Sequence, residues 1–125
     1  MDDTTSLLQG VAAGVRGALA VALVDYVSRF MLAGVHTGRG PNLEKAADAD
    51  TDVVRAKLAA LELLGYHPAR MEDIVVTLDD ELHVIRPLNQ RRHQGLFLYL
   101  VLDRRSADLA RARAKLCEAE LRLDV

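Results

Sequence analysis

Two runs of the chain are apolar at almost every position: Ala18 to Val24 (ALAVALV) and Leu96 to Leu102 (LFLYLVL). A strand with one face in water alternates apolar and polar residues, so runs of this length predict strands covered on both faces. Ahead of the first run, Leu7, Leu8, Val11, Ala12 and Val15 recur at helical spacing. Thr4 or Thr5 is placed to cap that helix, Asp2 and Asp3 are favourable near its positive end, and Gly14 and Gly17 end it. Asp25 to Ser28 reads as a turn, Arg29 to Val35 as a second strand, and His36 to Pro41 as a loop. A long helix follows from about Asn42 to Leu64, stopped by Gly65 and then Pro68. A break among Asp48, Asp50 and Asp52, with the helix starting near Thr51, is the alternative. Met71–Leu78 and Glu81–Leu88 predict a hairpin across Asp79-Asp80, with Pro87 ending its second strand. Ser106 is placed to cap a last helix running to about Leu123.

The order α-β-β-α-β-β-β-α, with two strands apolar on both faces, is met most simply by a five-stranded antiparallel sheet with those two at its middle. The first and last helices then cover one face and the long helix covers the other. The chain's 125 residues, half of them apolar, suit a single α+β sandwich domain spanning 1–125.

The second half also resembles a known family. Glu72, Asp73 and Ile74 lead through an acidic turn to His83–Leu88 (HVIRPL). Leu102-Asp103-Arg104 ends the next strand, and Ala107 to Leu116 opens a helix as A-D-L-A-R-x-x-x-x-L. In these segments the chain resembles the roadblock / dynein light chain family, bacterial type, over about a third of its length. The resemblance implies the profilin-like roadblock layout, with strand order 2-1-5-4-3. It departs from many members at Asp25-Tyr26-Val27-Ser28, where a D-G turn is common, and at GVHTGRGP before the long helix. No contact residue is therefore carried over singly.

The long helix has more apolar surface than one sheet contact needs. Leu43, Ala47, Val54, Leu58 and Leu61 make one stripe; Ala46, Ala49, Val53, Ala56, Ala60, Leu63 and Leu64 make another. The family layout puts Ile74, Val75 and Val76 in a strand at the sheet edge, where an apolar strand invites pairing. Together these predict a homodimer through Val54, Leu58, Leu61, Ile74, Val75 and Val76, as the resemblance also implies. Alanine-rich helices also look apolar all round, which is the plainer reading of the second stripe.

Net charge is −2, but it is divided: residues 1–81 carry 13 acids against 7 bases, and residues 82–125 carry 9 bases against 5 acids. Arg104, Arg105, Arg111 and Arg113 are the candidates for docking a protein partner, beside the plainer reading as a solvated face. With no Trp and 4% aromatic residues, stacking platforms for single-stranded nucleic acid are lacking, and no nucleic-acid partner is expected. No apolar run approaches the ~18 residues of a membrane span. The opening Met1-Asp2-Asp3 lacks the basic start of a signal peptide, so a cytoplasmic protein is expected.

Signs of chemistry are sparse. Gly34, Gly38 and Gly40 are followed by Pro41 and Asn42, not by the Lys-Ser/Thr of a phosphate-binding P-loop. Asp48, Asp50 and Asp52 open like a calcium loop, but the sixth and twelfth positions hold Val53 and Ala59 in place of glycine and glutamate. His36, His67, His83 and His93 show no ligand spacing, and Cys117 reads as a buried structural thiol. No catalytic residue, cofactor site or metal site is expected. The family resemblance implies a homodimeric regulatory or scaffold protein that binds and modulates a small Ras-like GTPase. The alternative is a dimeric signalling adaptor with no GTPase partner.

Overall fold

The structure, a computed structural model, describes residues 3–124. The expected contribution of Asp2 to the first helix lies outside them. The chain runs α1 (Thr4–Gly14), β1 (Ala18–Asp25), β2 (Met31–His36), α2 (Leu43–Leu63), β3 (Ile74–Thr77), β4 (Glu81–Pro87), β5 (Leu96–Asp103) and α3 (Leu109–Arg122). Single 3-10 turns precede β3 (Pro68–Arg70) and β5 (Arg91–His93). The sheet has the order β2-β1-β5-β4-β3, and every neighbouring pair is antiparallel.

The two apolar runs are the adjacent central strands, and both bury all their interior residues. Val21, Leu23, Leu98, Leu100 and Leu102 pack under α1 and α3, which contribute Leu8, Val11, Ala112 and Leu116. Ala22, Val24, Phe97, Tyr99 and Val101 face α2. A register shift between Ala18 and Ala20 puts Leu19 on the same face as Ala20. Each buried Leu or Phe contributes roughly 1.5–3 kcal/mol, so this double layer dominates the stability of the domain.

Several element ends differ from expectation. Asp3, in an extended conformation, caps α1 by accepting the Ser6 N–H at 2.7 Å, and Thr4 and Thr5 lie inside the helix. Asp108, not Ser106, caps α3 by accepting the Arg111 N–H at 3.1 Å. Ser106 instead closes the turn after β5, its N–H bonded to the Asp103 carbonyl. The long helix is continuous through its aspartates from the Asn42 cap, so it does not begin at Thr51. Thr51 is fully buried within it and returns its hydroxyl hydrogen to the Ala47 carbonyl at 2.7 Å. β2 starts at Met31 because Arg29 has φ 72°, which a strand cannot contain. β3 is only four residues long, since a 3-10 turn and its exit occupy the expected start at Met71.

Gly17 shows how closely the layers meet. Its φ is +81°, and a Cβ there would stand 2.5 Å from Ser106 Oγ and 3.3 Å from the Asp103 carbonyl. Its own carbonyl accepts the Asp103 N–H at 2.7 Å. Gly17→Ala should therefore lose about 2 kcal/mol by urea denaturation, from left-handed strain and the steric clash together. A loss of a few tenths would show that this turn can relax.

Cys117 is exposed, contrary to expectation. Ala112, Leu116 and Ala119 point to the sheet, and Cys117 follows Leu116 by about 100° of helix rotation. It shares an outward face with Ala114 and Leu121, which are also exposed. Among the described residues no helix is long and apolar enough to cross a membrane, and no three His, Cys, Asp or Glu side chains converge as a metal ion would require.

Candidate protein-docking face

The two stripes of α2 have different fates. Leu43, Ala47 and Val54 are buried on the sheet, and Leu58 packs partly into the same core. The other stripe is open: Val53 is 41% exposed, Leu63 89% and Leu64 64%, with Ala49 and Ala56 also exposed. A helix that covers a sheet with one stripe and leaves a second apolar stripe wet has a face without a partner.

That face continues onto β3. Ile74 and Val76 lie on the α2 side of the sheet, with Ile74 partly in the core and Val76 exposed. Between α2 and the start of β3 runs a groove of about 480 Å³, with Val53, Leu61, Tyr66, Met71 and Ile74 along its apolar walls and Lys57, Arg70 and Asp73 at polar points. The Arg70 guanidinium stacks 4.7 Å above the Tyr66 ring. Asp73 accepts both a 2.8 Å and a 3.1 Å hydrogen bond from the Arg113 guanidinium, which fastens α3 to the residue before β3.

The two sheet edges are not equivalent. Along β2 the register shifts so that Leu23 faces Ala33 and Val24 faces Met31, which leaves Leu32 bulged out of the ladder. Such a bulge blunts an edge against further pairing. The ladder that joins β3 to β4 is regular from Ile74 to Thr77, and β3 leaves its other edge open. At the blunted end Arg29 is held in its left-handed conformation by α2. It donates to Asp48 Oδ1 at 2.7 Å and to Asp52 through two bonds of 2.9 Å. These hydrogen bonds hold its guanidinium far above the usual arginine range and depress Asp52, mainly through the bond from Arg29.

The six residues expected at a dimer contact divide accordingly. Leu61, Ile74 and Val76 belong to the open face. Val54 does not: it is 0% exposed beneath its own helix and has no surface to offer a second chain. Leu58 is largely committed to the same core, and Val75 points to the opposite side of the sheet, toward α1 and α3. Val53, Leu63 and Tyr66 are the open positions that expectation missed; Val53 and Leu63 sit in the second stripe, which was visible in the sequence.

The four arginines expected to dock a partner are mostly tied within the chain. Arg113 pairs with Asp73, Arg111 donates to the Gly14 carbonyl at 3.2 Å, and Arg104 donates to the Leu78 carbonyl at 3.0 Å. Arg113 and Arg111 join α3 to the residue before β3 and to the end of α1, and Arg104 joins the turn after β5 to the β3–β4 hairpin. Arg105 is exposed, and its backbone N–H is engaged by the Asp103 carboxylate.

This sandwich, with its 2-1-5-4-3 antiparallel order and its helices split two and one, is the roadblock fold. The structure is similar to a Roadblock/LC7 domain from Streptomyces avermitilis, with TM-score 0.79 and 16% identity over 97% of this chain and 94% of that one. It is also similar to MglB of Myxococcus xanthus (TM-score 0.78, 15% identity, 93% of this chain and 87% of that one). The gliding protein MglB from Thermus thermophilus gives TM-score 0.75 and 22% identity, over 91% of this chain and 80% of that one. No protein-family model and no curated protein matches the sequence. The likeness is one of fold.

Proposed function

We propose that this chain forms a homodimeric platform that binds and modulates a small Ras-like GTPase, and that it acts by binding, without a catalytic residue of its own. The observation that carries the dimer is the exposed apolar flank of α2, which lies beside the regular open edge of β3 across a mostly apolar groove. Two copies related by a two-fold axis would cover both features at once, with β3 pairing to β3 and α2 lying against α2. A contact of roughly 800 Å² per partner is ordinary for such an assembly. Support for the GTPase comes from the roadblock resemblance at Glu72–Leu88 and Leu102–Leu116, together with the fold shared with the MglB proteins.

One observation favours the second reading, a signalling adaptor with no GTPase partner. Of the four arginines expected to dock a partner, Arg104, Arg111 and Arg113 are engaged as internal ties, which weakens the support for a basic docking patch on α3. The discriminating experiment is capture of the purified chain on small Ras-like GTPases loaded with GDP or a non-hydrolysable GTP analogue, followed by single-turnover hydrolysis. Binding that depends on the nucleotide, with a changed hydrolysis rate, is the expected result. Equal binding in both states with an unchanged rate would favour the adaptor, and no binding by folded protein would exclude the GTPase reading.

A further inference from the structure

At the end of the sheet where β4 passes into β5, separate stretches of the chain enclose a cleft of about 600 Å³. That volume is in the range of sites that hold small molecules. Leu58 of α2, Pro68 of the 3-10 turn that follows it, and Pro87 and Leu88 at the end of β4 make an apolar base. Tyr26, Arg55, Glu62, His67, Asn89 and Gln94 bring polar side chains to the same walls. The cleft lies on the other side of α2 from the groove beside β3, and no residue lines both.

The walls are fixed from behind, which leaves their side chains to face the cleft. The Tyr26 N–H donates to the Gly95 carbonyl at 2.9 Å and joins the β1–β2 turn to the β4–β5 connection. The Asn89 N–H is taken by Glu120 at 3.0 Å. His67 Nδ1 accepts the Ala69 N–H at 3.1 Å, so in the neutral ring Nε2 carries the hydrogen and is the atom left to donate. The Tyr26 hydroxyl and the side-chain amides of Asn89 and Gln94 make no hydrogen bond to another described residue.

The two charges are set apart. Arg55 and Glu62 are seven positions apart, so they share one face of α2 and stand about 10 Å from each other along its axis, too far to pair. Asp52, one turn before Arg55, has both carboxylate oxygens engaged by Arg29 at 2.9 Å. Neither Arg55 nor Glu62 forms an ion pair with a described residue. The cleft therefore offers a cation and an anion at a fixed separation, an apolar base between them, and two amides that each donate and accept. This set complements a molecule charged oppositely at its two ends with peptide groups between. An extended chain advances 3.3–3.6 Å per residue, so about three residues span the separation.

We propose that this cleft binds a short free peptide, with its carboxylate at Arg55, its ammonium at Glu62, its peptide groups on Asn89 and Gln94, and an apolar middle side chain over Leu58 and Pro87. The site lies within one subunit and stands apart from the proposed dimer and its GTPase. The test is an NMR titration of the isotope-labelled full chain with the tripeptide Ala-Leu-Ala, beside the same peptide acetylated at its amino end or amidated at its carboxyl end. Saturable shifts should gather at the Asn89 and Gln94 side-chain amides and the backbone around His67. Each blocked peptide should bind about 10-fold more weakly, the usual worth of a charge-assisted hydrogen bond. Arg55→Gln should abolish the preference for a free carboxylate and keep that for a free ammonium, and Glu62→Gln should do the reverse. Both residues are exposed, so the fold should persist, and a misfolded chain would not give this crossed pattern. No saturable shift at millimolar peptide, shifts confined to the groove beside β3, or blocked peptides that bind as tightly as the free one would overturn the site.

Discussion

Glu120→Ala should lose about 3 kcal/mol of unfolding free energy or more, the usual outcome when one member of a buried ion pair is removed. For a domain of this size that is a fall in Tm of roughly 10 °C. Glu120 is 4% exposed on the inner face of α3. One carboxylate oxygen accepts Arg86 Nε at 3.0 Å, and the other accepts the N–H groups of Asn89 and Gln90 at 3.0 and 3.3 Å. A single side chain thus neutralises a guanidinium whose side chain is 16% exposed and satisfies two backbone donors where β4 gives way to the β5 connection. Alanine would leave all three donors without an acceptor. Arg92 then ties the same connection to the Leu123 carbonyl at 2.9 Å, so loosening should spread to the end of α3. Glu120→Gln keeps an acceptor oxygen and should fall between the two. The midpoint of urea unfolding at unchanged m-value reads the effect. A loss below about 1 kcal/mol would mean that water replaces the carboxylate at little cost.

What the sequence made legible follows from how many neighbours each signal needs. The central strands were readable because covering both faces leaves only apolar residues, so ALAVALV and LFLYLVL carry their own evidence. Helix caps were less so, because Asp3 and Thr4 or Asp108 and Ser106 stand close together and the backbone angle selects between them. Periodicity revealed both stripes of α2 but not which one meets the sheet. The buried stripe contains the polar Thr51 while the wet one contains Leu63 and Leu64, so composition alone ranks them wrongly. Glu120 looks in sequence like any solvated helix acid; only the fold brings Arg86 to it across 34 positions. Tyr99 was visible as the polar exception in an apolar strand, but its partner His83 comes from β4, which no local pattern joins to it.

Val53→Glu and Val76→Lys should each turn the proposed dimer into monomer, weakening association at least 100-fold, or about 2.8 kcal/mol. In a contact about a two-fold axis every substitution enters twice. Each new charge then meets either its own copy or the partner's apolar groove, where an unpaired ion is costly. Both side chains are 41% exposed in the single subunit, so a charge there meets water when the partner leaves and the fold should persist. That separates them from Leu58 and Val54, which pack on the sheet and where a charge would damage the subunit itself. Leu121→Lys is the matching control: it is 64% exposed on α3, on the far layer of the sandwich, and should leave the assembly unchanged. Light scattering over a dilution series, beside far-ultraviolet circular dichroism, reads both mass and fold. If Val53→Glu and Val76→Lys stay as large as the native protein while folded, the α2 flank and the β3 edge are not where two copies meet. The surplus apolar surface would then have to be assigned to a different partner.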